Sequence, residues 1–223
     1  MPTPAPRVPD ALLLVTTGCP HCPTVLAGLS ELVKAGKIGR LEVVNVSRHP
    51  EAAQRLGVRS LPWLRLGPFE LDGLRSFTEL ARWAERAGTE EGMADYFDEL
   101  LREGRLKQAV DILARDPAQF GALLRLIERP DTELQVRVGV SALMEEYEGT
   151  APLMALVERL GGLARHKDAH IRGDACHFLA LTRDPRALAY LRALRNDPEP
   201  QVRELAAEGL ATLARTAAAA PDA

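Results

Sequence analysis

Three cysteines occur among the 223 residues, Cys19, Cys22 and Cys176, and two of them stand in Gly18-Cys-Pro-His-Cys-Pro23. That spacing suits the exchange of thiols and disulfides. The thiolate is the attacking species in such chemistry, and the unpaired amides at a helix start favour negative charge. With a helix beginning here, Cys19 is the exposed first-turn thiol. Cys22 then lies beneath it, placed to attack a mixed disulfide. Pro20 keeps the turn tight and removes a backbone donor. His21, when protonated, would favour the Cys19 thiolate further, and a more acidic thiol gives a better leaving group and a more oxidising couple. A Cys-x-x-Cys is also half of a zinc site, but there is no second pair here and no metal is expected. Cys176 matches Ser141 and Ala207 in the repeats described below and is expected to be a packing residue. His166, His170 and His177 fall in a turn and on different helix faces, so they are not expected to gather round a metal.

The elements that must position the cysteine pair are legible from residue 11 to about residue 87. Ala11-Leu-Leu-Leu-Val-Thr16 has the pattern of a buried strand, and the apolar positions Val25, Leu26, Leu29, Leu32 and Val33 recur at helical spacing. Leu41 to Val46 is a second strand, and residues 50–56 form a short helix from Pro50 to Gly57. Trp63-Leu-Arg-Leu66 and Phe69-Glu-Leu-Asp72 make a hairpin across Gly67-Pro68. Ser76-Phe-Thr-Glu79 is a capping-box signature that opens a last helix. The order is βαβαββα, and its strand–helix–strand start implies a parallel pair. Trp63 and Trp83 are expected in the core, and His49 at an exposed helix entry.

From residue 93 onward strand signals disappear and a repeat is visible. Asp116-Pro117, Ala151-Pro152 and Asp184-Pro185 each are expected to open a helix. Partner helices carry Val136-Arg137, Ile171-Arg172 and Val202-Arg203. Behind each pair, positions 140, 143 and 144, then 175, 178 and 179, then 206, 209 and 210 form apolar stripes with which successive helix pairs bury one another. Residues 93–115 look like a helical cap or a degenerate first repeat.

On these residues the first half resembles thioredoxin-like proteins over residues 11–87. Gly57-Val-Arg-Ser-Leu-Pro62 is similar to that family's segment ending in a cis-proline, with Asn45-Val-Ser-Arg-His-Pro50 upstream at the family's usual distance. Cys-Pro-His-Cys-Pro with Val25-Leu26 also resembles small archaeal glutaredoxin-like proteins and the amino-terminal redox domain of alkyl hydroperoxide reductase flavoproteins. The resemblance implies that Cys19 attacks, that Cys22 resolves, and that Ser60, Leu61 and Pro62 form the substrate-binding loop beside them. A cis Leu61-Pro62 bond would present the Leu61 backbone to an extended substrate strand. Departures from thioredoxins proper are Gly18 for tryptophan, Leu13 for a buried acid, Val43 for lysine, and Trp63 for threonine. The second half resembles HEAT repeats over residues 117–215, with Asn196-Asp-Pro-Glu-Pro-Gln-Val-Arg203 closest to the bacterial signature. The middle repeat has His166 where the others have Asp131 and Asp197, which puts an aspartate contact there in doubt.

The expected architecture is therefore an α/β thioredoxin-like domain followed by an all-α HEAT-like domain. Its parts are a flexible proline-rich leader over 1–10, the redox domain over 11–92, and repeats over 93–223 at about 117–148, 152–182 and 185–215. The polar run Gly88 to Gly92 is expected to be the hinge. Net charge is −3, with 11 Lys/Arg against 10 Asp/Glu in residues 1–92 and 17 against 21 thereafter, which argues against a nucleic-acid partner. The leader lacks the apolar run of a signal peptide and no segment has the length of a membrane span, so a cytoplasmic protein with no membrane contact is expected. The expected function is thiol–disulfide oxidoreduction without a cofactor beyond the Cys19–Cys22 disulfide. The partners are a protein client bearing a disulfide or thiol and, by the flavoprotein resemblance, a flavoprotein disulfide reductase. The alternative is an adaptor or holdase in which the redox chemistry is secondary.

Overall fold

The computed structural model describes residues 8–219. They divide into two compact units at Met93/Ala94. Most of the proline-rich leader expected over residues 1–10 lies outside the described residues. Its last two positions are tied down: the carbonyls of Pro9 and Asp10 accept from the amides of Gly39 and Gly67, each at 2.9 Å.

The first unit runs β1 (Ala11–Val15), α1 (Cys22–Lys34), β2 (Leu41–Asn45), α2 (Pro50–Leu56), β3 (Trp63–Leu66), β4 (Phe69–Asp72) and α3 (Phe77–Arg86). The strands form one mixed sheet in the order β2-β1-β3-β4. β1 is central, parallel to β2 with Leu13 opposite Val43 and antiparallel to β3 with Leu14 opposite Trp63. A strand paired on both sides and covered on both faces needs a continuous apolar run, and Leu13 and Leu14 are fully buried. Burial of such a side chain contributes about 2 kcal/mol. Leu14 packs with Ala52 of α2 and Trp63 of β3, and strand alternation turns Leu13 to the other face. β2 is an edge strand, so Val43 stays 41% exposed. α1 packs on α3 at Gly28, where an added methyl would stand 2.9 Å from Leu80. Both bonds of the capping box that opens α3 are made: Ser76 Oγ accepts from the Glu79 amide, and Glu79 Oε2 accepts from the Ser76 amide.

α4 (Glu90–Arg102) begins inside the run expected to be a hinge. A methyl group at Gly92 would lie 2.3 Å from the Arg86 carbonyl oxygen. Only glycine fits there, where the first turn of α4 passes the last residue of α3.

The second unit continues with α5 (Leu106–Arg115), a 3-10 turn (Pro117–Gln119), α6 (Phe120–Glu128), α7 (Leu134–Glu146), α8 (Ala151–Met154), α9 (Val157–Leu163), α10 (Ala169–Leu181), α11 (Ala187–Leu194) and α12 (Pro200–Ala219). Only one of the three proline motifs opens a helix in the expected way. Pro152 stands in the short α8, whereas Pro117 starts a 3-10 turn and Pro185 lies two residues ahead of α11. The stripes on the partner helices are buried as expected at Val140, Leu143 and Met144, at Ala175, Phe178 and Leu179, and at Ala206. Gly209 is buried too, and Leu210 is half-buried.

Candidate functional site

Gly18 turns the chain out of β1 with φ at +80°, a conformation glycine adopts without steric cost. The next residues lead into α1, whose N-cap position is His21 and whose first helical residue is Cys22. Helix α1 therefore starts three residues later than Cys19, and Cys19 sits on the turn ahead of it. His21 makes no side-chain cap, and no acidic residue stands in the first turn. The vacant role is taken by sulfur: the Cys22 amide donates to Cys19 Sγ at 3.1 Å. Cys19 and Cys22 are joined as a disulfide with their Cα atoms 5.6 Å apart. Cys22 is 5% exposed, while Cys19 is half-buried and Pro20 and His21 are exposed. The outer sulfur thus accepts an amide bond from the head of a helix, where a thiolate is favoured over a thiol.

The turn is braced by Thr16, Thr17, Asn45 and Ser47, in contacts that the sequence reading did not foresee. Thr16 Oγ1 and Ser47 Oγ lie 2.7 Å apart, the Thr17 amide donates to Ser47 Oγ, and Asn45 Nδ2 donates to Thr17 Oγ1. The Ser47 amide closes onto Asn45 Oδ1 at 2.9 Å, and the Cys19 amide donates to the Thr16 carbonyl. Small hydroxyl residues after two paired strands were the available signal. Of the expected substrate loop, Ser60 is exposed, Leu61 is half-buried beside the Leu14–Ala52–Trp63 cluster, and Pro62 is buried. The Leu61-Pro62 peptide bond is cis, and the Pro62 carbonyl accepts from the Gly73 amide. Trp63 and Trp83 are core residues at 5% and 1% exposure. His49 caps α2 by position, is exposed, and lies 3.3 Å from Glu51.

In the second unit one arginine per repeat does the same work. Arg137 donates to the carbonyls of Ile127 and Arg129, Arg172 to those of His166 and Lys167, and Arg203 to those of Asp197 and Pro198. Each satisfies carbonyls that the preceding helix or turn leaves open. Two of them also reach the following repeat. Arg172 grips Asp197 with both arms at 2.7 and 2.8 Å, and Arg137 donates to Asp174 at 2.5 Å. The aspartate contact is kept at the centre, but its acid comes from α10 and not from position 166. His166 serves its own turn, with Nδ1 accepting from the Asp168 amide. The Arg172 guanidinium holds the Asp197 carboxyl below its usual range. Burial pushes Asp174 above it, against the pull of Arg137.

Residues 121–211 match the family model described as HEAT repeats. The matched stretch runs from α6 into α12 and contains all three arginines. Comparison with curated proteins finds no match. HEAT repeats generally mediate contacts between proteins. Within the HEAT-matched stretch Cys176 is fully buried, and burial pushes its thiol up to about 12. Its sulfur lies 3.8 Å from the Val202 carbonyl on the next repeat. His177 lies 3.2 Å from Glu145. Among the described residues no three His, Cys, Asp or Glu side chains converge to hold a metal, and no helix is long and apolar enough to cross a membrane.

Proposed function

We propose that this protein is a thiol–disulfide oxidoreductase whose first unit is a thioredoxin-like domain and whose HEAT repeats hold a protein client. One observation carries the reading. A half-exposed cysteine at the head of α1 is bonded to a buried one and accepts an amide hydrogen bond from it. The strand order and the parallel β1–β2 crossover through α1 support the thioredoxin-like part.

In the oxidising direction, a client thiolate attacks Cys19 Sγ. A client–Cys19 bond forms, the Cys19–Cys22 bond breaks, and Cys22 leaves as a thiolate. The client's second thiolate then attacks its own sulfur in that mixed disulfide. Cys19 leaves as a thiolate stabilised by the Cys22 amide, the client keeps one disulfide, and two electrons rest on the protein's dithiol. In the reducing direction Cys19 attacks the client disulfide and Cys22 resolves the mixed disulfide. A flavoprotein disulfide reductase is the proposed source of electrons for that direction, and the cytoplasm its place.

Cys22→Ser removes the resolving sulfur, so the variant is expected to accumulate mixed disulfides on Cys19 in cell extract, visible on non-reducing gels. Cys19→Ser is expected to abolish them. Absence of any trapped client, with partner binding intact, would refute turnover and leave an adaptor or holdase.

A further inference from the structure

A groove enclosing about 760 Å³ runs across α7, α10 and α12 of the second unit. Its floor is apolar: Leu134, Val138 and Ala142 from α7, Ala169 from α10, and Val202 and Leu205 from α12. Val202 is part of the core between repeats, but Leu134 and Val138 are not, because α7 already turns Val136, Val140, Leu143 and Met144 inward. Leu134 is 76% exposed and Val138 60%. A helix that is apolar on its core face gains no folding stability from a second apolar face left in water. Adjacent side chains of this size held open to solvent mark a surface that something covers.

The edges of the groove say what that is. Glu145, Asp168, Asp174 and Glu199 line it with one guanidinium, Arg137, which Asp174 engages at 2.5 Å, and with His170 and His177, which share one face of α10 rather than the different faces expected; His177 lies 3.2 Å from Glu145. An acidic peptide or a phosphate group would meet four carboxylates, whereas a lysine or arginine would complement them. Packed helices lie about 8–10 Å apart, so a floor shared by three of them spans roughly 20 Å. An extended strand of about six residues covers that length, with apolar side chains down and basic ones at the rim.

We propose that this groove receives a cationic, amphipathic peptide segment of a partner protein. The proposal rests on the reading that the repeats hold the client, and it names that client's recognition chemistry.

The test is fluorescence anisotropy on the full chain. The probe is a fluorescein-labelled peptide alternating lysine and leucine, long enough to cross the three helices. Controls of equal length alternate glutamate with leucine and lysine with serine, and spermine serves as a competitor. The lysine–leucine peptide is expected to bind, more weakly as salt rises. The Glu145→Lys/Glu199→Lys and Leu134→Ser/Val138→Ser variants each are expected to lower its affinity about tenfold. All four positions are exposed, and circular dichroism and Tm verify that the variants fold. The proposal is overturned if the glutamate–leucine peptide binds equally well, or if the variants bind like the parent. It falls too if lysine–serine or spermine matches the lysine–leucine peptide, since bare charge would then suffice. A dimer in sedimentation that Leu134→Ser/Val138→Ser converts to monomer makes the groove a self-interface and likewise refutes it. The titration is repeated on the Cys19→Ser/Cys22→Ser chain, so loss of docking and loss of sulfur chemistry are read separately.

Discussion

At the scale of single residues, the two environments of sulfur differ by their donors and their solvent. Cys19 sits at a helix head with an amide 3.1 Å from its sulfur. Cys176 sits in packed repeats where burial pushes its thiol up to about 12. In the reduced protein, iodoacetamide alkylation followed against pH is expected to show Cys19 titrating below the value of about 8.5 for a free cysteine. Cys176 is expected to react only after denaturation, which a thiol count with Ellman's reagent before and after guanidinium checks. The cysteine pair and its turn were legible because chemistry of this kind needs fixed residue types at fixed spacing. The polar brace behind it was not, because Thr16, Thr17, Asn45 and Ser47 come together only when β1 and β2 pair.

At the scale of elements, caps and inter-repeat ion pairs set local stability, and both carry a pH signature. Hydrogen bonds from the Ser76 hydroxyl and then its amide hold the Glu79 carboxyl below its usual range. Stability linked to a lowered carboxyl is complete above the unfolded value of about 4.3 and is lost as pH falls through the folded one. Ser76→Ala is expected to destabilise the first unit by about 1 kcal/mol at neutral pH. Urea titrations in acid are expected to show that difference shrinking below about pH 4. Arg172→Ala leaves Asp197, 7% exposed, without its two charge-assisted bonds. It is expected to cost about 2 kcal/mol at neutral pH. The sign is the same: the Asp197 carboxyl is lowered, chiefly by the Arg172 hydrogen bond. The difference should therefore shrink as acid protonates it, down to the part owed to the lost bonds to the His166 and Lys167 carbonyls. The apolar periods revealed the helices and the Val-Arg, Ile-Arg and Val-Arg pairs, but not which acid each arginine takes.

At the scale of the whole molecule, two compact units share one chain. Calorimetry of the full chain is expected to resolve two transitions. Reduction of Cys19–Cys22 is expected to move the one belonging to residues 8–93 and Arg172→Ala the other, and a single transition shifted by both would contradict independent units. Local periodicity and spacing encode the order of strands and helices, the paired cysteines at the head of α1 and the helical repeat, so these are legible from the amino acids alone. Three features emerge only once the helices pack: Gly92 is a packing contact with Arg86, Asp174 replaces the acid missing at position 166, and Leu134 and Val138 open onto an acidic groove. The last two depend on residues distant in the chain, and the first on how one helix starts against the end of another. Distances between such residues are fixed by how helices pack, and no local pattern records them.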